Sequence, residues 1–288
     1  MNRKTISISL LVGLMAGMSA CTEKYDIRLD DSFTRLVVDG SISTDTAAHQ
    51  VRLTKTTSYF FNEAPPVVSG AQLVLMGPHG TLNLDEMPEN PGVYTTPNNF
   101  YALPGASYTL DIRLAAEVGG SRNYTSVAQT PSTAFRMDSI ALEYQQPFEF
   151  FLVKLYAWDP PTTDFYKFDA LINGQSLTDT ASRSIVINDR LTNGNNTNGL
   201  AVMFIRGDEL KQGDTLTLVM SAISEDYYDF FLQLRTQSGS SNPLFSGPPA
   251  NITSNVAEGG LGYFDSRIVQ RISLVLTDDP KRPRKTQP

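Results

Sequence analysis

The sequence predicts a mostly-β protein with two β-sandwich-like domains, the second of which carries one packed helix. From Phe33 onward, short runs of residues alternate between apolar and polar, which is the period of half-buried strands. Glycine and proline turn signals, such as residues 77–80 (GPHG), separate these runs. One segment, near residues 225–237, has its apolar residues at helical spacing instead. A hydrophobic content of 41% and a charged content of 18% provide enough apolar material for packed cores.

The first twenty residues have the pattern of a lipoprotein signal peptide. Two basic residues precede an apolar run that is too short to span a bilayer comfortably and that ends in small residues. The next residue, Cys21, is the one cysteine of the chain, so it has no partner for an intrachain disulfide. We therefore expect residues 1–20 to be removed by cleavage between Ala20 and Cys21, and acyl chains to be attached to the Cys21 sulfur. The alternative is an ordinary secretory signal followed by a chance cysteine.

Residues 21–32 are polar and acidic, and we interpret them as a tether rather than as part of a core. A lipoprotein cysteine carries more than one acyl chain, and each buried methylene group contributes about 0.8 kcal/mol. Such an anchor is expected to hold the protein stably at a membrane. The acidic residues after Cys21 resemble the export signals of Bacteroidota surface lipoproteins, which favours the outer membrane over the inner one and leaves its face open.

An N-terminal β-sandwich domain is predicted for residues 33–131. Residues 50–57 alternate inward apolar with outward basic side chains, and residues 71–76 run into the turn at 77–80. Strands at this spacing, with no helical stretch between them, are typical of a small sandwich of immunoglobulin or transthyretin type. The segment PSTAF at residues 131–135 is the expected domain boundary.

A C-terminal β-rich domain is predicted for residues 132–278, followed by a basic tail at residues 279–288. Its strand at residues 148–158 is apolar on both faces, as expected for the centre of a covered sheet. The helix near residues 225–237 follows Ser224, which can cap it, and acidic residues in its first turn suit the helix dipole. We interpret its aromatic stripe as core rather than as a ligand site.

The charge of the chain argues against nucleic-acid binding. The formal net charge is −7, and it becomes −9 without the leader, because 21 basic groups then face 30 acidic ones. Such a surface repels phosphate backbones, and the basic stripe of a nucleic-acid-binding protein is missing from the sequence. The cationic cluster in the tail is interpreted as a solvated terminus.

The sequence predicts a non-enzymatic protein without a cofactor or a metal. The two histidines, His49 and His79, lie in loop or turn contexts and are expected at the surface. Zinc-ligand spacing is absent, and the oxygen-rich loop at residues 188–199 fails the spacing of a calcium-binding loop. Asp159 and Asp164 are the carboxylate pair that a hydrolase would require, but we interpret them as solvated loop residues.

Aromatic side chains are the remaining candidates for contact with a ligand or a partner. Tyr156 and Trp158 share one face of a predicted strand and can form a stacking platform for a sugar, although their apolar strand favours core. Tyr59, Phe60 and Phe61 lie in a loop beside two prolines, where core and exposed positions are equally expected. Exposed apolar clusters commonly mark interfaces, so both groups are contact candidates.

Motifs spread along the mature chain carry a family resemblance. They are residues 37–43 (VVDGSIS), 92–94 (GVY), 104–110 (PGASYTL), 227–233 (YYDFFLQ), 242–245 (NPLF), 251–256 (NITSNV) and 259–264 (GGLGYF). Together they resemble the Bacteroidota lipoprotein family catalogued as domain of unknown function 4249, over nearly the whole mature chain. The resemblance implies no established activity, but it implies a TonB-dependent outer-membrane receptor as partner.

Three hypotheses follow from the sequence. The leading one is a non-enzymatic accessory lipoprotein of the outer membrane that docks on a TonB-dependent receptor in nutrient uptake. The first alternative is an independent surface lipoprotein that binds a glycan or a peptide, and it requires an aromatic platform open to solvent. The second alternative is a hydrolase with a carboxylate pair, and it requires two carboxyl groups that converge in one cleft.

Overall fold

The computed structural model describes residues 34–57, 64–190, 193–238 and 252–277, and this part of the chain is mostly β with one α-helix. The predicted fold class is therefore confirmed. The expected signal peptide, the acidic tether and the basic tail lie outside the described residues. The described part of the chain contains no helix with the length and hydropathy of a membrane-spanning segment.

Seven strands form the first half of the described chain. They are β1 (Leu36–Ser43), β2 (Gln50–Lys55), β3 (Gln72–Gly77), β4 (Gly80–Glu86), β5 (Val93–Thr95), β6 (Ser107–Val118) and β7 (Ser121–Gln129). Their hydrogen-bonded order is β1-β2-β5-β4-β3-β6-β7. The β3–β4 hairpin closes at the pair of Gly77 and Gly80, as the turn signal predicts. Inward side chains such as Leu73, Leu75 and Leu110 form the first core, because alternate strand residues point to the same face.

The second half adds eight strands and the helix. They are β8 (Arg136–Gln145), β9 (Phe150–Trp158), β10 (Phe165–Ile172), β11 (Gln175–Ser176), β12 (Ile185–Asn188), β13 (Leu200–Arg206), β14 (Thr215–Ile223), α1 (Glu225–Ser238) and β15 (Leu261–Val275), with a 3₁₀ turn at Gln146–Phe148. Strands β13, β9 and β8 form a separate three-stranded sheet, whereas β10, β11, β12 and β14 join the sheet of the first half through β15. Residues from both sheets, such as Val153 and Leu218, form the second core.

Strand β15 belongs to both halves of the chain. Its first seven residues pair in parallel with β1, and its later residues pair in the antiparallel direction with β14. Phe264 is therefore buried in the first core, and Ile268 in the second. The described residues from Thr34 onward form one compact unit with two large cores and a smaller apolar cluster. The two large cores fall largely on either side of the expected boundary at residues 131–132, and β15 contributes residues to both.

Strand β9 lies at the centre of the three-stranded sheet, but only one of its faces is covered. Phe151, Val153 and Leu155 are buried in the second core. The alternate residues point the other way, and there Tyr156 and Trp158 are exposed. The expectation that both faces are covered and that this aromatic pair is core is wrong, because the sheet is an outer layer whose inner face alone contributes to the core.

Helix α1 packs as the sequence predicts, with its aromatic stripe inward. The Ser224 Oγ accepts a hydrogen bond of 3.2 Å from the Tyr227 N–H, which caps the first turn. Tyr227 and Phe231 are buried against Val186, Ile223 and Tyr263, which come from β12, β14 and β15. The stripe is therefore core, and the helix covers the sheet beside the start of β15.

Two of the family-like motifs meet where β15 pairs with β1. Gly262 lies opposite Val38 and has a φ of +86°. A Cβ at this position would lie 2.0 Å from the Val38 carbonyl oxygen. Gly40, in the same motif as Val38, lies opposite Phe264, and a Cβ there would lie 3.3 Å from its ring and 2.9 Å from the Val51 side chain on β2. The glycines are thus favoured by the close approach of neighbouring strands.

Candidate functional site

Five residues predicted as attachment, cleavage or contact sites lie outside the described residues. They are Ala20 and Cys21 at the expected cleavage point, and Tyr59, Phe60 and Phe61 in the loop at residues 58–63. Lipid attachment and contact through this loop therefore stay predictions. The remaining predicted pair, Tyr156 and Trp158, is described.

Tyr156 and Trp158 lie on the outer face of β9, with 39% and 36% of their surface exposed. A neighbouring loop supports this end of the strand. The Trp158 backbone bridges to Asn196, and Gly199 leaves room for the Tyr156 ring, since a Cβ there would lie 2.9 Å from the tyrosine hydroxyl. The pair is therefore held in place and presents aromatic surface to solvent.

Three phenylalanines that the sequence analysis missed extend this exposed face. Phe148, in the 3₁₀ turn, is 72% exposed and stacks on Phe150, with ring centroids 5.8 Å apart. Phe204, on β13, is 61% exposed and meets Phe150 edge to face at 5.3 Å. We call Phe148, Phe150, Phe204, Tyr156 and Trp158 the aromatic strip. Because a strand rises about 3.3 Å per residue, the strip extends for about 26 Å along β9.

A charged pair crosses the middle of the aromatic strip. Lys154 lies on the outer face of β9 between the two aromatic groups and forms an ion pair with Glu143 on β8. The hydrogen bond from Lys154 lowers the pKa of the Glu143 carboxyl group. Because both side chains are open to solvent, the pair adds little stability. The pair instead places two charged groups, which can form hydrogen bonds to a partner, within an otherwise apolar surface.

Three aspartates come together directly beyond the strip. Asp159 follows β9, Asp164 precedes β10 and Asp189 follows β12. Since β10 and β12 are antiparallel neighbours, Asp164 lies beside Asp189. One carboxylate oxygen from each residue lies within 4.8 Å of the others. The three residues are 3%, 9% and 1% exposed, in the same order. We call them the acidic cluster.

The acidic cluster corrects the expectation that Asp159 and Asp164 are solvated loop residues. Both are buried, because the loop after β9 folds back against the ends of β10 and β12. Asp189 was missed by the sequence analysis. The sequence feature that could have indicated Asp189 is its position, since each of the three aspartates lies directly beyond the end of a strand. Which strand ends meet is decided by the sheet pairing.

Hydrogen bonds reach all three carboxylates of the cluster. The Asp164 Oδ2 accepts from the Thr162 hydroxyl at 2.7 Å, and the Asp189 Oδ2 accepts from the Asp164 N–H at 2.8 Å. The Asp159 Oδ1 accepts from the Tyr166 hydroxyl at 2.6 Å. The second oxygen of Asp159, Oδ2, is buried and has no hydrogen-bond partner among the described residues.

Burial and mutual repulsion act on the protonation of the cluster. Burial raises the pKa of Asp159, the Tyr166 hydroxyl opposes this, and the charges of Asp189 and Asp164 raise the pKa further. The Gly194 N–H, which also donates to the Pro160 carbonyl oxygen at 3.2 Å, lowers the pKa of Asp159 in part. Burial also raises the pKa of Asp189. These shifts report carboxylates that are held close together away from water.

A family model described as domain of unknown function (DUF4249) matches residues 22–271 of the chain. The chain belongs to this family. The match begins before β1 and runs through most of β15, so it includes the aromatic strip and the acidic cluster. No curated protein matches the chain.

This DUF4249 member also buries a charge network beneath α1. Lys167 pairs with Asp169 on β10, and Arg267 pairs with Asp265 on β15 at 2.7 Å. The two cations lie 5.4 Å and 5.3 Å from the ring centres of aromatic residues on α1. Burial lowers the pKa of Lys167 and raises the pKa of Asp265. Each buried charge in this network has a partner of opposite sign, which suits a structural role.

The two histidines of this DUF4249 member differ in burial. His49 is buried, contrary to the expectation for it, and burial lowers its pKa. Its Nε2 lies 3.1 Å from the Asp45 carbonyl oxygen. His79 is exposed and lines a cavity of about 320 Å³ between the β3–β4 turn and the loop at residues 97–101. Its Nε2 lies 3.0 Å from the Tyr101 carbonyl oxygen, so main-chain contacts position both rings.

Proposed function

We propose that this chain is an outer-membrane lipoprotein of the Bacteroidota type, anchored by lipid on Cys21, which binds a TonB-dependent receptor through the aromatic strip and assists nutrient uptake. The observation that carries the proposal is the exposure of the strip. Phe148 and Phe204 are 72% and 61% exposed, and they lie at one end of the aromatic strip, whose two aromatic groups are separated by Lys154. Apolar patches of this kind on a folded domain mark interaction sites.

The size and composition of the strip suit a protein partner. Specific complexes bury about 800 Å² per partner, which is a patch roughly 30 Å across, and the strip extends for most of that distance. Aromatic residues are enriched in the centres of such interfaces. The Lys154–Glu143 pair adds a charged contact, which contributes to choice of partner more than to affinity.

The anchor is tested by replacing the sulfur that would carry the acyl chains. The wild-type protein is expected to sediment with membranes and to incorporate labelled fatty acid. Cys21→Ser is expected to remain in the soluble fraction without label, because one oxygen atom in place of sulfur removes the acylation site. A Cys21→Ser protein that sediments and takes up label as the wild type does would refute the anchor.

The receptor contact is tested with the full chain, extracted from native membranes in mild detergent and recovered with its crosslinked partners. A TonB-dependent receptor is expected among them. The double variant Phe148→Ser/Phe204→Ser is expected to lower its recovery at least about tenfold, as loss of central aromatic anchors does. Val127→Ser/Val275→Ser is the matched control, because these valines are 54% and 50% exposed but lie elsewhere. Equal recovery with both double variants would refute a role for the strip.

A second candidate function, binding of a glycan, is favoured by the exposure of Tyr156 and Trp158. Two aromatic side chains on one strand face offer the flat surface on which a sugar ring stacks. Trp158 is the one tryptophan of the chain, so its fluorescence reports such binding directly. Titration with envelope and dietary polysaccharides is expected to change this emission in the wild type and not in Tyr156→Ala. No change with any polysaccharide would remove this candidate.

The third candidate, a hydrolase, has less support from the geometry. Asp159 and Asp164 do converge, but both are buried. A glycosidic bond cannot be placed between two carboxyl groups that are closed off by their own loops. We therefore propose a binding function rather than hydrolysis.

A further inference from the structure

We propose that the acidic cluster of Asp159, Asp164 and Asp189 is a binding site for a divalent cation of the calcium class. Three observations carry this inference: the convergence of buried carboxylates, the unpartnered Oδ2 of Asp159, and the oxygen-rich loops around them. It does not depend on the receptor proposal. The sequence predicted no metal, because the three aspartates come from separate segments and not from one contiguous loop motif.

The spacing of the carboxylates suits a single ion. Calcium–oxygen distances are about 2.3–2.6 Å, so two ligands on opposite sides of the ion are about 4.6–5.2 Å apart. One oxygen from each aspartate lies within 4.8 Å of the others. One calcium ion can therefore contact all three residues without a large movement of the loops. Magnesium, with bonds of about 2.0–2.1 Å, requires a nearly regular octahedron and gives up its water reluctantly, whereas calcium accepts irregular sets of ligands.

The electrostatics of the cluster favour a bound positive charge. A carboxylate taken out of water is costly unless hydrogen bonds or an opposite charge replace its hydration. Asp159 is 3% exposed, and its Oδ2 has no hydrogen-bond partner among the described residues. In the same part of the chain, no lysine or arginine forms an ion pair with Asp159 or Asp164. A bound cation would supply the charge that Lys167 and Arg267 supply in the buried network.

The donor atoms and their surroundings favour a hard cation. The cluster offers carboxylate oxygens and no histidine or cysteine, which argues against zinc. The flanking loops are already tied to one another, since the Asn193 side chain donates to the Thr162 carbonyl at 2.9 Å and its N–H donates to the Asp189 carbonyl at 2.7 Å. Calcium takes six to eight oxygen ligands in irregular geometry. Carbonyl and amide oxygens of these two loops, with water, can complete such a set.

Cation binding at this place would join the ends of β9, β10 and β12. Trp158 directly precedes Asp159, and its backbone bridges to Asn196 in the asparagine-rich loop. The fluorescence of this residue is therefore expected to change when the loops are drawn together. Ion binding would also fix the position of the Tyr156–Trp158 end of the aromatic strip.

The test uses the full chain in detergent, stripped of metal with a chelator and titrated with calcium chloride. Trp158 fluorescence and calorimetry are expected to saturate at one calcium per chain. At a hundredfold excess over the dissociation constant, the midpoint of thermal unfolding is expected to rise by roughly 5–10 °C. Magnesium chloride at the same concentration is expected to give a smaller rise. A wild-type protein with no saturable calcium response would overturn the proposal.

Variants of the cluster distinguish two explanations for it: a calcium-binding site, or carboxyl groups that share protons without an ion. Asp159→Asn and Asp189→Asn are each expected to abolish the calcium response and still fold, because each removes one charge from a repelling trio. Asp138→Asn, at an exposed aspartate on β8, is the matched control and is expected to keep the response. A calcium response retained by both cluster variants would refute the assignment to these residues.

Discussion

The two cores of this chain satisfy their buried polar groups in different ways. In the first core these groups are neutral, and the hydroxyls of Tyr94, Tyr108 and Tyr124 are hydrogen-bonded to main-chain groups. The second half contains all five of the buried charged side chains found among the described residues. They are Asp159, Asp164, Lys167, Asp189 and Asp265.

This difference has a physical consequence for stability. A buried tyrosine contributes a large apolar area and needs only one partner for its hydroxyl, so its burial is inexpensive once that hydrogen bond exists. A buried charge is costly unless a counter-charge lies beside it. The first half is therefore expected to be robust to ions and chelators. The second half depends on Arg267, on Lys167 and, under the cation proposal, on a bound ion.

The largest loss of stability is expected from a substitution in β15, the strand that joins the two halves of the chain. Gly262→Ala places a Cβ 2.0 Å from the Val38 carbonyl oxygen and forces alanine to a φ of +86°. We expect the free energy of unfolding to fall by roughly 5 kcal/mol, because the strands must separate to relieve the clash. Gly259→Ala is the control, since its φ is +74° but nothing lies near the added atom, and it should cost only about 1–2 kcal/mol. Urea unfolding of both variants makes the comparison, and similar losses would contradict it.

A smaller but still large effect is expected when a buried charge loses its partner. Arg267→Met leaves Asp265, which is 1% exposed, without its cation, and should cost about 3–5 kcal/mol. Arg136→Met removes the same type of pair from the surface, where the partners are 69% and 44% exposed, and should cost less than about 1 kcal/mol. Adding Asp265→Asn to Arg267→Met is expected to recover part of the loss. No recovery in the double variant would argue that Arg267 acts through packing rather than charge.

Loss of a neutral hydrogen bond in the first core should lower the free energy of unfolding less than loss of the buried Arg267–Asp265 ion pair. Tyr108→Phe removes the hydroxyl that accepts the Leu103 N–H at 2.8 Å but keeps the ring that packs on Gly77. The expected loss is about 1–2 kcal/mol in the free energy of unfolding. Tyr101→Phe, at an exposed tyrosine, is the matched control and should change little. If Tyr108→Phe costs as much as Arg267→Met, the proposed difference between the cores does not hold.

The smallest effect is expected to depend on pH. Burial alone would raise the pKa of Glu86, but hydrogen bonds from the Gly92 and Gly70 N–H groups, at 2.7 Å and 2.8 Å, bring it below the ordinary value of 4.5. A folded-state pKa below the unfolded one adds stability above pH 4.5, and this is lost as the pH falls through the folded value.

Glu86→Gln is therefore expected to lower stability slightly at neutral pH and to make the acid side of the stability profile flatter than in the wild type. The loss should stay below about 1 kcal/mol, because solvent screens this partly exposed group. Glu89→Gln, at an exposed position, is the control. Parallel profiles for the wild type and Glu86→Gln between pH 3 and 7, roughly the range in which carboxylates titrate, would contradict the assignment.

The predictable features of this fold are those with a local cause. The turn at residues 77–80, the cap at Ser224 and the inward stripe of Tyr227 and Phe231 follow from backbone preferences and periodicity, and all three are confirmed. Residues 148–158 were assigned to a covered sheet because apolar side chains occur on both faces. Periodicity shows which residues share a face, but it does not show whether another layer covers that face.

The amino-acid sequence by itself determined the fold class, the helix and the expectation of a lipid anchor at Cys21, since each depends on residues close together in the chain. Only the tertiary structure decided that β15 joins two cores, that Phe204 continues the surface begun by Tyr156 and Trp158, and that Asp189 meets Asp159 and Asp164. The physical reason is strand pairing. Hydrogen bonds between segments that are distant in the chain determine which strand ends lie side by side. Which segments pair depends on how the side chains of the whole sheet pack.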